Sequence, residues 1–207
     1  MAVLETFSEL PIVSPLASIP DEDTLGVTIS VGLSEITNRG LLHIRGNEAE
    51  AALRASAMKI GDVLPAESEE GLLARTRRDE FVLLTRDVYV AMERLATLIG
   101  DKRVTLTEIT HGRCGILLVG SDAARVLPKV CGLDFSDKQF PNLHAAQTSL
   151  AKVRTLIIRA DIDTTPAYGL IVDRSLAQYV WGVVYDAGQE FGIRRIDLDN
   201  TRARGLW

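Results

Sequence analysis

Short apolar runs alternate with longer stretches whose apolar residues return every three or four positions, and this order occurs twice along the chain. In the first occurrence GLLHIRG (Gly40 to Gly46) predicts a strand. NEAEAALRAS predicts a helix opening at Asn47, with Glu50 three residues on in a capping-box arrangement. LLARTRR and EFVLLT predict two strands separated by Asp79. DVYVAMERLATLIG predicts a helix capped by Asp87, with Val88, Met92, Leu95 and Ile99 on one face. In the second occurrence GILLVG (Gly115 to Gly120) predicts a strand and SDAARVLPKVC a helix capped by Ser121. SLAKVRTLIIRAD and AYGLIVD predict strands. SLAQYVWGVVYDAGQEFG predicts a helix capped by Ser175, with Leu176, Val180, Val183, Ala187 and Phe191 on one face.

Both copies therefore read β-α-β-β-α. One copy alone is small and leaves a sheet face uncovered, whereas two packed together bury a shared core. The expected fold is α+β, with two similar ferredoxin-like halves at about residues 36–105 and 106–207 forming a single duplicated domain. Residues 1–35 differ: ELPIVSPLASIPDED holds three prolines and no sustained period, which predicts an extended arm. The main difference between the copies is a longer loop in the second, running from Cys131 through GLDFSDKQFPNLHAAQ.

Composition narrows the function. A net charge of −5 over 207 residues and a pI near 5.3 argue against nucleic acid as partner. The cluster Arg75, Arg77, Arg78 reads as a solvated face. No apolar run approaches the roughly 20 residues of a membrane span, and the N-terminal stretch lacks the basic-then-apolar pattern of a secretory signal. The two cysteines, Cys114 and Cys131, form no CxxC pair and read as small buried hydrophobes, so a cytoplasmic location is expected. GxxxxGK[ST], GxGxxG and GxSxG are absent. Glu48 and Asp122 in the first turns after Gly46 and Gly120 would repel a phosphate. His43, His111 and His144 are isolated from metal-ligand partners. Cys131, Asp134 and His144 lie close in sequence, the minimum for a nucleophile, a base and an orienting group, but nothing in the spacing brings them together. No catalytic, cofactor-binding or metal residue is assigned.

SDAARVLPKVCGLDFSDKQF, then AAQTSLAKVRTLIIR, then AYGLIVDRSLAQYVWGVVYDAGQEFG resembles the gamma subunit of heterotetrameric sarcosine oxidase. The features that carry the resemblance are helix-Cys-x-Leu-Asp, Ala-Gln-Thr-x-Leu-Ala before a strand, and Arg-Ser-x-Ala-x-Tyr-x-Trp opening the last helix. It extends over about residues 111–192, is weaker over 40–110, and includes SPLASI in the arm. That family belongs to the folate-binding superfamily of the glycine-cleavage T-protein, which implies the same duplicated fold. It also implies an assembly with alpha, beta and delta subunits that oxidises sarcosine or a related N-methyl amino acid, with FAD, FMN, NAD, tetrahydrofolate and zinc held by the partners. The sequence departs from catalytic relatives in ending at Trp207, without the T-protein's additional C-terminal domain, and in carrying KVCGLDF where the iron-sulfur-repair branch has KGCYxGQE. The resemblance thus implies a scaffold rather than an active site. A stand-alone folate-dependent one-carbon (aminomethyl) transferase is the alternative.

Partner contacts are expected from the arm. Its prolines block helix and central-strand pairing, leaving Leu10, Ile12, Val13, Leu16 and Ile19 to cover either this chain's own domain or a partner subunit. Trp207, in an otherwise polar tail, is expected to anchor in the same manner.

Overall fold

Phe81, Val82, Leu83 and Leu84 are all buried, although successive strand residues point to opposite faces. Such a strand needs cover on both sides, and the fold supplies it. The computed structural model describes residues 14–17, 30–37, 39–66, 71–196 and 207. Its strands are β1 (Gly32–Glu35), β2 (Gly40–Arg45), β3 (Val63–Ala66), β4 (Gly71–Arg77), β5 (Glu80–Thr85), β6 (Thr105–Glu108), β7 (Arg113–Val119), β8 (His144–Leu150), β9 (Val153–Arg159), β10 (Ala167–Asp173) and β11 (Arg194–Arg195). The helices are α1 (Ala49–Ala52), α2 (Val88–Ile99), α3 (Ala123–Val126) and α4 (Ala177–Gly188).

One sheet has the order β3-β4-β5-β2-β6 and the other β11-β1-β7-β10-β9-β8. Within each, the run β4-β5-β2-β6 or β9-β10-β7-β1 follows the ferredoxin-like order, the two halves matching strand for strand. Leu41, Leu72, Val82 and Leu84 of the first sheet share a buried layer with Leu117, Leu156, Ile158 and Ile171 of the second. On the outer faces, α1 and α2 cover Leu42, Ile44, Phe81 and Leu83, and α3 and α4 cover Ile116, Leu118 and Leu170. The result is four layers, helices outside and two sheets face to face.

The halves interlock across the boundaries read from sequence. β1, at residues assigned to the arm, pairs antiparallel with β7 and completes the run β9-β10-β7-β1. β6, which straddles the expected division at 105 and 106, belongs to the first sheet through its pairing with β2.

A buried arginine recurs at matching places. Arg75 on β4 lies directly opposite Phe81 and over its ring, at 5.3 Å from the centroid. Arg159 on β9 lies directly opposite Tyr168 and over its ring, at 5.5 Å. Each ties down the segment that follows its half's first helix. Arg75 donates to the carbonyls of Met58 and Arg78 and pairs with Glu50. Arg159 donates to the carbonyl of Phe140 and to the carboxylates of Asp137 and Asp161. Arg75 is therefore not part of a solvated face: its guanidinium is buried because oxygens from α1 and from neighbouring turns meet it.

That geometry also changes the caps. Glu50 turns to Arg75 rather than closing a capping box, and the single-turn α1 starts after Glu48 with no side-chain cap. α3 starts after Asp122, which pairs with Arg125, and a 3-10 turn at Arg174–Leu176 precedes α4. The buried face of α4 is Ala177, Val180, Trp181, Val184 and Ala187, rotated from the one expected, and Leu176 is exposed. Asp87 does cap α2, its Oδ1 accepting from the Tyr89 and Val90 amides at 3.0 Å.

SLAKVRTLIIRAD is not one strand but the turn of a hairpin. β8 and β9 pair from His144 with Arg159 to Leu150 with Val153, joined by Ala151 and Lys152 at φ 50° and 66°.

Of the residues expected to contact partners, Leu16 and Trp207 are buried in this chain. Leu16 joins the core beneath α3 and α4, held by a Gln178 side-chain amide that donates to the Pro15 carbonyl and by a Ser14 hydroxyl bonded to Glu35. Trp207 lies on Gly169 in the layer between the sheets, with its indole N–H donating to the Ala160 carbonyl at 2.6 Å. Leu16 thus covers this chain's own domain, the first of the two alternatives for the arm, and Trp207 is buried within the chain rather than exposed in the tail. Leu10, Ile12, Val13 and Ile19 lie outside the described residues. Among the described residues no helix is long and apolar enough to cross a membrane.

Candidate functional site

Toward one end of the layer between the sheets, the inward-facing positions change from apolar to polar. Period-two alternation carries Leu41 on to His43 and Arg45, Leu84 and Val82 on to Glu80, Leu117 on to Arg113, and Ile158 and Leu156 on to Arg154. These residues line an open cleft of about 330 Å³ whose apolar floor includes Val82, Ile109, Leu156 and Ile171.

Glu80 organises the cleft. Its Oε1 accepts from Thr76 Oγ1 at 2.8 Å and from Gln147 Nε2 at 3.0 Å, the second bond reaching across from β8 to join the two sheets. Its Oε2 faces His43 Nε2 at 3.4 Å and Arg77 Nε at 4.0 Å. Burial pushes the Glu80 pKa up, but the Thr76 and Gln147 donors, with His43 and Arg77 behind them, outweigh it and hold the carboxyl below its ordinary value. Arg154 donates to Gln147 Oε1 at 3.1 Å, and Arg113 pairs with Asp173. The Arg45 side chain has no ion-pair or hydrogen-bond partner among the described residues.

The loop residues singled out by sequence do not converge. Cys131 bridges to Leu150, and its sulfur's polar neighbour is Thr148 Oγ1 at 3.9 Å. His144 lies six positions up the same strand, roughly 20 Å away at the usual strand rise. There it stacks edge-on against Phe140 with ring centroids 5.0 Å apart. Burial holds its imidazole below the ordinary histidine value. The Asp134 carboxylate accepts from the Ser136 amide at 2.9 Å, a local turn that lowers its pKa. Cys114 is buried and receives a hydrogen bond from the Thr37 hydroxyl at 3.2 Å, and burial pushes its thiol up to about 11. A thiol so shifted is no nucleophile at neutral pH. His111 is exposed, and no group of three or more His, Cys, Asp or Glu among the described residues could hold a metal ion.

Sequence reading missed Arg45, Arg77, Glu80, Arg113, Gln147 and Arg154 as a group. The signal was present in the alternation for Arg45, Glu80, Arg113, Gln147 and Arg154, each in phase with core residues on its own strand, whereas Arg77 is brought to the cleft by a register shift between Arg75 and Arg77. Strand order was needed to bring them to one end.

The chain is similar to sarcosine oxidase subunit alpha from Corynebacterium sp. (strain P-1), 27% identical over 186 residues, 79% of this chain and 19% of the relative. It is also similar to sarcosine oxidase subunit alpha from Rhizobium meliloti (strain 1021), 23% identical over 195 residues, 84% of this chain and 20% of the relative. It thus spans about a fifth of the length of these curated relatives. Among solved structures, it superposes on a chain of heterotetrameric sarcosine oxidase from Corynebacterium sp. U-96 in complex with pyrrole 2-carboxylate, with TM-score 0.68 and 24% identity, covering 81% of this chain and 88% of that one. Glycine cleavage system aminomethyltransferase T from Bartonella henselae gives TM-score 0.66 and 18% identity over 82% of this chain and 48% of that one. Both likenesses show the fold of two paired α+β halves. A family model, the GCVT N-terminal domain, matches residues 66–204, and with that match over most of the chain the protein belongs to the GCVT N-terminal domain family.

Proposed function

We propose that the chain is a gamma-type, non-catalytic subunit of a heterotetrameric flavin-dependent sarcosine oxidase, cytoplasmic, working beside alpha, beta and delta subunits. The complex would oxidise sarcosine or a related N-methyl amino acid. The observation that carries this reading is a contrast in coverage. The chain corresponds to about a fifth of the alpha subunits but to 88% of one chain in the solved heterotetramer. The size of that chain supports the reading as a small subunit.

The residues favour a supporting role. Cys131, Asp134 and His144 are each engaged separately. Among the described residues lining the cleft there is no Phe, Tyr or Trp on which a planar pterin or flavin ring would stack, and the lining carboxylate, Glu80, is already hydrogen-bonded by Thr76 and Gln147, which supports assigning those cofactors elsewhere. FAD, FMN, NAD, tetrahydrofolate and zinc are accordingly assigned to partner subunits, and no chemical step is assigned to this chain. Contact with a partner through Leu10, Ile12, Val13 and Ile19 belongs to the same proposal.

Purification of the untagged protein from its native source tests the reading. Co-elution with a flavoprotein that oxidises sarcosine is expected. A chain that elutes alone and binds tetrahydrofolate stoichiometrically would instead be the stand-alone one-carbon transferase.

A further inference from the structure

We propose that the cleft between the two sheets is a binding site for a small polyanion, a compound bearing two or more carboxylate or phosphate groups. The chain as a whole is acidic, at −5, yet Arg45, Arg77, Arg113 and Arg154 all line this one opening. Asp173 neutralises Arg113, which leaves three guanidinium groups about the single carboxylate of Glu80. Strand register places two of them. Arg45 on β2 and Arg77 on β4 both pair with Glu80 on β5, so they flank it from neighbouring strands, roughly 10 Å apart at the Cα atoms by strand spacing.

Gathering like charges costs free energy that the single carboxylate of Glu80, facing Arg77, returns only in part. The Glu80 carboxylate already serves Thr76 and Gln147, and Arg45 lacks a partner. A bound anion supplies the missing counter-charge. Planar guanidinium forks donate to carboxylate and phosphate oxygens in pairs, and two forks on opposite sides of the opening favour a ligand with two acidic groups over one. The volume, about 330 Å³, is that of a small-molecule site. Gln147 and His43 stand at the wall between the charges, where they can meet hydroxyl or carbonyl groups of the ligand.

The inference does not depend on the subunit reading, because it is tested on the isolated full-length chain. Titration calorimetry with citrate and with inorganic pyrophosphate, against acetate and chloride at matched ionic strength, is expected to show saturable binding of at least one polyanion and none of the monoanions. Citrate alone assigns a carboxylate ligand, and pyrophosphate alone a phosphate ligand. The variants Arg45→Gln and Arg154→Gln, both at exposed positions, should each weaken binding by about tenfold or more. Lys138→Gln on the distant loop should leave it unchanged. Heat signals that follow ionic strength alone, or equal affinity in the arginine variants, would overturn the proposal. So would indifference to both polyanions combined with binding of an Asp/Glu-rich peptide, which would make the cleft a protein contact. Should an arginine variant fail to fold, the ionic-strength comparison on the natural chain still decides.

Discussion

Replacing Arg159 by Met should destabilise the fold more than the same change at Arg75, although the two arginines hold equivalent places in the halves. Both are nearly inaccessible, at 5% and 6%. Their partners differ. Arg159 donates through Nε and Nη2 to the two oxygens of Asp161 at 2.9 and 3.0 Å, and that carboxylate is only 13% exposed. Methionine fills much of the stem's volume but leaves Asp161 buried without its counter-charge, a loss of about 3–5 kcal/mol. The carboxylate partner of Arg75 is Glu50, 41% exposed, which water can reach once the guanidinium is gone. There the main loss is the hydrogen bonds to the Met58 and Arg78 carbonyls, about 1–3 kcal/mol. With a urea m-value of about 2 kcal/mol per molar, Arg159→Met should lower the unfolding midpoint by about 2 M and Arg75→Met by about half as much. Adding Asp161→Asn to Arg159→Met should restore part of the loss, because it removes the stranded charge. Equilibrium urea unfolding followed by far-ultraviolet circular dichroism reads all four proteins. If Arg159→Met shifts the midpoint no more than Arg75→Met, or the double variant is no better than the single, the assignment of Arg159 as a buried ionic clamp is refuted.

Lys152→Gly should stabilise by about 0.5–1 kcal/mol, since the two-residue turn holds Lys152 at φ 66° where glycine carries no steric cost; an unchanged or lower thermal midpoint would count against the hairpin. Trp207→Ala should cost about 3–5 kcal/mol, the usual range for deleting a buried aromatic, because the indole covers Gly169 and bonds the Ala160 carbonyl. A melting temperature within a degree or two of the natural chain would return Trp207 to the role of partner anchor. Acid sensitivity should involve His144, whose pKa is depressed by burial, with Asp62 acting in the opposite direction. The unfolded chain then binds the proton first, so this contribution is full above the ordinary value of about 6.5 and is lost as pH falls through the lower folded value. Urea midpoints at pH 7.5 and 5.5 should therefore differ less in His144→Phe, which keeps a ring against Phe140, than in the natural chain.

β4, β5, β7, β9 and β10 were legible as apolar runs because helices cover one face of each and the opposite sheet covers the other. β8 was not. HAAQTSL lies at the edge of its sheet with mixed exposure, and the turn that closes it, Ala151 and Lys152, lacks the glycine or asparagine that usually marks such a turn. β1 is four residues long and gains its identity only from pairing with β7 some 80 positions later. The burial of Arg75 and Arg159 could not be read locally, since an arginine on a strand looks solvated until distant carbonyls and carboxylates are brought to it. Trp207 looked exposed for the same reason: its site is made by Gly169 and Ala160. The cleft was half legible. Alternation puts His43, Glu80, Arg113 and Arg154 in phase with the core on their own strands, but only the pairing order shows that those phases meet.

The duplication also explains why the polar groups of the loop after Cys131 are engaged with one another and with Arg159. In the first half, a short segment separates α1 from β3, and Arg75 holds it through the Met58 carbonyl. The longer segment in the second half carries more backbone that must be paired, and its polar side chains supply the partners. Asp137 binds Arg159, Asp134 accepts from Ser136, and Asn142 Oδ1 accepts from the Leu143 and Asp161 amides. Arg159 closes the set through Asp161, so each of these polar groups answers to the loop's own shape. A catalytic group must instead keep a donor or acceptor available to a substrate. The arginines around the cleft retain that capacity, and they sit where both sheets contribute to one opening. The proposed anion site therefore belongs to the inter-sheet cleft, while the bonded polar groups of the loop hold its shape.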